Sequence, residues 1–513
     1  MLKEKRLLYF LAFVRFLLPF FLQHSYYQPH RDEYLYLAEG NHLAWGYMEV
    51  PPLISVFAWI TNHLGAGMFW IKCWPSLFGS FTFLLVGRII LSLNGKTFAL
   101  ILGWLPFVID GYMRLFFLFM PNFLDVFFWT AMAFSLVRYV QTDQNKWLYY
   151  FGISAGLGML SKYSVAFYAL SLGAALLASP HRRIFFNRHF YFASLLGILA
   201  FLPNLLWQYH HRFPVIHHME TLQREQLQFV ETSGFLIDQF MMNLPCVFVW
   251  VAGLLYLLVN KAGRKYRFVA IAYLVVIALL IILQGKSYYV LGAYPVLFVF
   301  GACYLEQVTA MRFKWVRYAM LIVSLSLGLI AFPLILPVAK PNTLVAYYQK
   351  TGLNQTGDFK WEDLRQHPLP QDFADMIGWK ELALKTGKVY NSLTGQQKKE
   401  TIVFCWGYFT AGALNYYRPE AGLPEVLSDD ASFLFWLPDQ ATVRHILLVG
   451  RHLPGPDDRV FNQFEKITIK DSVDIPLFRE TGTKIMFCEN GSDSLNPIIE
   501  EAIAHLKGEY MRR

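Results

Sequence analysis

Long apolar runs separated by short polar joints fill the first two thirds of the 513-residue chain. A helix needs about 20 mostly apolar residues to cross a bilayer. About eleven stretches approach that length: Leu7–Leu22, Phe69–Leu93, Phe98–Phe119, Phe123–Val140, Trp147–Leu160, Ser164–Ala178, Phe190–Tyr209, Phe235–Val259, Phe268–Leu283, Val290–Glu306 and Val316–Val338. The fifth and sixth are the shortest, and Pro51–Leu64 reads as a helix lying on or dipping into the interface. The first run follows a basic start and no small-x-small cleavage site comes after it, so it is expected to stay as an uncleaved first span. From Ala339 onward polar residues rise. Short apolar runs (TIVFCW, HILLVG, TKIMFC) then alternate with helical or loop stretches such as NPIIEEAIAHLKGEY, the pattern of a soluble α/β domain. The expected fold class is a polytopic α-helical membrane protein of about 11 transmembrane helices (residues 1–338) with a C-terminal extracytoplasmic α/β domain (residues 339–513).

Composition agrees. The chain is 55% hydrophobic, 17% aromatic and only 16% charged, too apolar for a soluble protein of this length. A net charge of +9 raises nucleic acid as a partner, but the basic residues sit in short clusters between apolar runs, so none is expected. Those clusters (Lys3/Lys5/Arg6, Arg88/Lys96, Arg138/Lys146, Arg182/Arg183/Arg188, Lys261/Arg264/Lys265/Arg267, Arg312/Lys314/Arg317) fall on one side if the spans alternate. The positive-inside rule makes that side cytoplasmic, and an odd number of spans puts everything after Val338 outside. The expected location is the cytoplasmic (inner) membrane, multi-pass. Cys73, Cys246, Cys303, Cys405 and Cys488 show no metal-type spacing. Cys405 and Cys488 lie in the polar part, either as a disulfide or as two buried thiols.

With this topology the chemically interesting residues gather on the outer side: Asp32 and Glu33 in HRDEYLYLAEGNHLAWGYMEVPPL, then Asp110, Arg114, Asn122 and Asp125, then Lys162 in GLGMLSKYSVAF. A later loop carries His210, His211, His217, His218 and Arg224, and another Lys286, Tyr288 and Tyr289. Each has a plain alternative. An acidic pair in a loop is usually solvated, Lys162 can snorkel at a helix end, and Asp125 can balance a helix dipole. The glycines of GISAGLG suit helix packing. The paired histidines lack a compact ligand spacing, so interfacial or substrate contacts are expected of them ahead of a metal.

The blocks RDEYLYLAEGNHLAWGYMEVPPLI, PNFLDVFFW, GLGMLSKYS, PNLLWQYHHRFP, GKSYYVLGAYPVLF and GALNYYRPEAGLPEVLS together resemble the GT-C superfamily of polyprenyl-phosphate-sugar-dependent glycosyltransferases. The likeness is to the bacterial family 39 branch, akin to protein O-mannosyltransferases and the lipid A aminoarabinose transferase. The resemblance implies inverting transfer of a sugar from a lipid phosphate carrier to a protein, lipid or glycan acceptor at the extracytoplasmic face. It also implies that Asp32 acts as base or orients the acceptor. Relatives often carry His or Lys just before the Pro-Pro, where this chain has Val50, preceded by Glu49.

The chemistry fits those residue types. Negative charge builds on the leaving phosphate, so cations placed there lower the barrier. Lys162, Lys286 and Arg224 stand in suitable loops, with Tyr288 and Tyr289 as hydroxyl donors. An acceptor hydroxyl needs one carboxylate base, assigned to Asp32, with Glu33 or Asp125 binding the acceptor or supporting Asp32. Single displacement needs no second carboxylate as nucleophile. No cofactor is required by the sequence, and a divalent metal stays open. The rival reading is a membrane transporter or flippase of lipid-linked sugars. A transporter would place ionisable residues near the midplane and show paired broken helices, which the sequence does not display.

Overall fold

The computed structural model describes residues 2–310, 313–440 and 442–510. Arg312 of the last basic cluster, and the C-terminal Arg513, lie outside the described residues. The N-terminal part comprises α1 (Leu2–Leu22), α2 (Arg31–Glu39), α3 (Leu53–His63), α4 (Met68–Ser92), α5 (Thr97–Trp104), α6 (Pro106–Ile109), α7 (Gly111–Leu115), α8 (Asn122–Thr142) and α9 (Lys146–Met159). It continues through α10 (Val165–Leu177), α11 (Arg188–His210), α12 (Pro214–Glu225), α13 (Thr232–Met241), α14 (Val247–Val259), α15 (Arg267–Ile282), α16 (Tyr294–Val308) and α17 (Lys314–Ile335).

Among the described residues, six helices are long and apolar enough to cross a membrane, or seven if the pair Thr232–Met241 and Leu244–Val259, bent by 65°, forms one span. The difference from about eleven has local causes. The Phe98–Phe119 run is cut at Pro106, which cannot extend the preceding hydrogen-bond ladder, and again at Asp110, which is extended. The helices α9 and α10 have 14 and 13 residues, about 20 Å at 1.5 Å per residue against a hydrocarbon core of about 30 Å. In α1, Lys3, Glu4, Lys5 and Arg6 charge the first turns, and Arg15 is buried halfway along.

Helix contacts are close where side chains are small. On α9, Gly152 faces Ala193 of α11, and a Cβ there would come 2.1 Å from the Ala193 carbonyl oxygen. Gly156 meets Gly197 in the same seam, as expected for small residues that let membrane helices approach. By contrast, α11 and α17 keep most of their apolar surface facing outward.

The chain leaves α17 at Ile335 and enters the C-terminal domain through α18 (Pro341–Thr351), α19 (Gln371–Ala374), α20 (Trp379–Asn391) and α21 (Gly395–Lys399). A five-stranded sheet follows, made of β1 (Thr401–Cys405), β2 (Val426–Leu427), β3 (His445–Gly450), β4 (Phe464–Val473) and β5 (Thr483–Gly491) in the order β2-β1-β3-β5-β4. The pairs β1–β2 and β1–β3 are parallel, and β3–β5 and β4–β5 antiparallel. The helices α22 (Tyr408–Tyr416) and α23 (Arg418–Ala421) lie between β1 and β2, and α24 (Leu495–Tyr510) closes the fold. The three apolar runs TIVFCW, HILLVG and TKIMFC form β1, β3 and β5, the central strands, whose buried faces explain their composition. The edge strand β4 alternates too irregularly to announce itself, because a register shift between Ile469 and Asp471 breaks its period. Cys405 and Cys488 sit on β1 and β5, both buried and both free thiols.

The domain docks on the bundle through α2, which packs against α22. Tyr34 of α2 is fully buried among Trp379, Tyr416 and Tyr417. The first turn of α2, which carries Asp32, thereby lies between bundle and domain.

Candidate active site

The helix α2 begins with a capping box: His30 accepts from the Asp32 amide at 3.2 Å, and Glu33 accepts from the His30 amide at 2.7 Å. Successive helical positions differ by about 100°, so the adjacent carboxylates face different ways. Glu33 points into the bundle and is fully buried. It accepts from Lys72 Nζ at 2.5 and 2.7 Å and from the Phe119 amide at 2.6 Å. Lys72 also lies over the Phe117 ring at 4.3 Å. Every acceptor direction of Glu33 is occupied, so the structure does not bring it together with Asp32. Its place is a structural tie between α2, α4 and the Phe116–Phe119 turn.

Asp32 points the other way, toward the C-terminal domain. Tyr408, at the start of α22, donates to its Oδ1 at 2.8 Å, and Arg31 Nε stands 3.4 Å away. Burial pushes the Asp32 carboxyl up, but Arg31, His30 and the Tyr408 hydroxyl outweigh it and hold the group below its ordinary value. Asp32 is therefore an ionised acceptor at neutral pH, with its side chain 28% exposed.

Around it runs an ion network that the domain supplies. Arg31 reaches Glu362 at 3.4 Å, and Arg479 reaches Glu362 at 2.7 Å and Asp375 at 2.9 Å. Arg114 of α7 pairs with Asp372 at 2.8 Å. Burial lifts Asp375 to about 6 against the pull of Arg31, His30 and Arg479.

A second cluster forms where the α9–α10 turn meets the segment before α16. Lys162 Nζ donates to Asn122 at 2.5 Å and lies over the rings of Tyr289 at 4.5 Å and Tyr288 at 5.5 Å. Asp125, in the first turn of α8, is buried and accepts from Ser164 at 3.0 Å. Burial draws the Lys162 ammonium down to about 8, with Asp125 opposing and Lys286 adding to the fall. Lys286 is held by Gln226. Burial lowers it as well, while the charges of Glu362 and Asp32 support its cationic form. Two half-buried cations that repel each other, one of them lying over the Tyr288 and Tyr289 rings, make a place that an anion would stabilise.

Sequence-predicted Lys162, Lys286, Tyr288, Tyr289 and Asp125 are thus brought together, and the charge of Asp32 reaches Lys286. Arg224 is not brought in: it is exposed near the end of α12, and its side chain makes no hydrogen bond or ion pair among the described residues. Val50, in place of the basic residue of relatives, is buried. Its neighbour Glu49 accepts from the Ser432 amide and hydroxyl at 2.7 and 2.6 Å. Among the described residues no group of three His, Cys, Asp or Glu side chains is arranged to hold a metal. His211 instead stacks on Trp207 at 4.0 Å. Sequence reasoning missed Tyr408, Glu362, Asp372, Asp375 and Arg479. The one signal for Tyr408 was its place after the end of a strand-like run, just ahead of GALNYY.

Residues 49–207 match the family model described as dolichyl-phosphate-mannose-protein mannosyltransferase. The fold is similar to that of ArnT from Cupriavidus metallidurans bound to undecaprenyl phosphate, with 13% identity, 96% of this chain and 98% of that chain covered, and a TM-score of 0.59. It is also similar to the apo state of the same protein, with 12% identity, 94% and 97% coverage and a TM-score of 0.56. No curated protein matches the chain.

Proposed function

We propose that the protein is an inverting glycosyltransferase that moves a sugar from a polyprenyl-phosphate carrier to a protein, lipid or glycan acceptor at the outer face of the cytoplasmic membrane. The observation that carries this reading is an ionised carboxylate whose charge reaches one of two neighbouring, partly desolvated lysines. Asp32 is kept ionised by Arg31, His30 and Tyr408, and its charge acts on Lys286, which in turn acts on Lys162 over the Tyr288 and Tyr289 rings. The match over residues 49–207 and the undecaprenyl phosphate held by the similar ArnT support a lipid-linked donor.

The carrier phosphate sits between the two lysines, whose desolvation and mutual repulsion it relieves. As the bond from the anomeric carbon to the phosphate oxygen breaks, charge grows on that phosphate and the lysines stabilise it most in the transition state. Asp32 takes the proton of an acceptor hydroxyl that attacks the anomeric carbon from the opposite face. One displacement inverts the configuration and uses a single carboxylate. Asp125 holds the Lys162 turn through Ser164 rather than meeting the acceptor.

The test is Asp32→Asn in purified protein supplied with polyprenyl-phosphate sugars. Unchanged melting and carrier binding are expected, with transfer reduced by about 100-fold or more, the scale of a lost general base. A modest loss instead would mark an already ionised acceptor such as a phosphate, which needs no base. Full activity would refute the reading. Glycolipids and glycoproteins compared between deletion and wild-type cells would identify the sugar and the acceptor.

A further inference from the structure

A groove runs along the seam between bundle and domain, on the far side of α2 from Asp32. Two cavities of 330 and 410 Å³ lie end to end and share Ala38, Asn41 and Asn415. Each falls within the range of small-molecule sites, about 300–1,000 Å³. On α2, Tyr34, Leu37 and Ala38 stand between about 140° and 240° from Asp32 around the helix axis, so the helix itself separates the groove from the ion network. The first cavity is walled by His42 stacked on Trp436, 4.1 Å apart and 12° from parallel. The second is walled by Tyr416 and Tyr417, 4.8 Å apart and perpendicular.

The polar groups of the groove are incompletely used. Asn62 donates to the Leu37 carbonyl and to Asn41 at 2.8 and 2.9 Å, which leaves the Asn41 amide nitrogen and the Asn62 oxygen without a partner among the described residues. Arg418 and Glu425 stand exposed at the first cavity, and neither makes a side-chain hydrogen bond or ion pair among the described residues. Flat aromatic walls with a rim of amides, one guanidinium and one carboxylate match the chemistry of a sugar ring. A pyranose presents an apolar C–H face for the wall and a circle of hydroxyls that both donate and accept for the rim. A lipid tail would meet too many polar groups here, and a free phosphate would meet Glu425.

We propose that this groove is a saccharide-binding site, distinct from the reactive centre, that holds a short run of sugar rings along the seam between bundle and domain. It goes beyond the transfer reading and does not depend on Asp32 being a base.

The test uses the full chain in detergent micelles, applied to a printed array of neutral, amino-sugar and uronic-acid oligosaccharides. The best ligand is then titrated calorimetrically into wild type, Asn41→Ala, Arg418→Met, Glu425→Gln and Asp32→Asn. Binding is expected in wild type, weakened about tenfold or more by Asn41→Ala and by at least one of Arg418→Met and Glu425→Gln, and unchanged in Asp32→Asn. The three groove side chains are exposed, and wild-type melting curves confirm folded variants. Absence of any array ligand overturns the proposal. So does binding indifferent to all three groove changes, or binding lost in Asp32→Asn, which would place the saccharide at the reactive centre. Because the readout is binding rather than turnover, failure here leaves the transfer assay of Asp32→Asn untouched, and the reverse holds as well.

Discussion

Replacing Lys72 with Met should destabilise the protein more than any change at the exposed carboxylates. At 2.5 Å from Glu33 and an effective dielectric of about 20, the gross attraction is roughly 6–7 kcal/mol. Much of it offsets the cost of taking both charges out of water. The loss on mutation is set instead by what is left behind, a carboxylate that is 0% exposed and retains only the Phe119 and His30 amides as donors. Removing one partner of such a buried pair costs about 3–5 kcal/mol. Glu33→Gln leaves the ammonium of Lys72 stranded over Phe117 and should also destabilise. The double variant Glu33→Gln/Lys72→Met buries no charge and keeps a side-chain oxygen for one of the two amides, so it should recover part of the Lys72→Met loss, a coupling of about 1–3 kcal/mol. Thermal melting of the detergent-purified protein, followed by tryptophan emission and size exclusion, measures all three against wild type. If Lys72→Met melts within a degree of wild type, or if the double variant is no more stable than Lys72→Met, the buried-pair account is wrong. Acceptor affinity of Glu33→Gln should hold, since Glu33 faces the bundle.

Other expectations follow from the same geometry. Lys162→Met and Lys286→Met should each lower donor binding or turnover by about one to two decades, the worth of one charged hydrogen bond, and normal kinetics in both would remove the phosphate clamp. Asp32 acts as a carboxylate held below its ordinary value, so activity should fall only as the pH drops through that lowered value. Tyr408→Phe removes a stabilising donor and should shift this acid limb of the profile to higher pH, whereas an unmoved limb would detach Tyr408 from Asp32. Reporter fusions after Lys265 should read cytoplasmic and fusions at the C-terminus extracytoplasmic; a cytoplasmic C-terminus would take the domain and its ion network away from the proposed face.

The sequence by itself determined the kind of molecule and singled out several residues of the candidate site. Apolar runs of spanning length have few solutions other than helices in lipid. A lysine in a short joint between two such runs, as Lys162 and Lys286 are, stands out because a charge so close to apolar spans needs water or a partner. The central strands were legible for the same reason: β1, β3 and β5 are apolar on both faces. What periodicity could not supply was direction and distance. Asp32 and Glu33 are chemically alike and adjacent, and only packing made one a partly exposed acceptor of Tyr408 and the other the buried mate of Lys72. Helix interruptions at Pro106 and Asp110 shortened a run that composition alone reads as continuous. The residues that ionise Asp32 and order Arg31, namely Tyr408, Glu362, Asp375 and Arg479, lie more than 300 positions away, in a domain where polar residues are common and carry no local mark. Only the docking of that domain on α2 brings them within hydrogen-bonding reach. A hydrogen bond acts over about 3 Å of space with no regard to separation along the chain, so those partners become visible only in the folded protein.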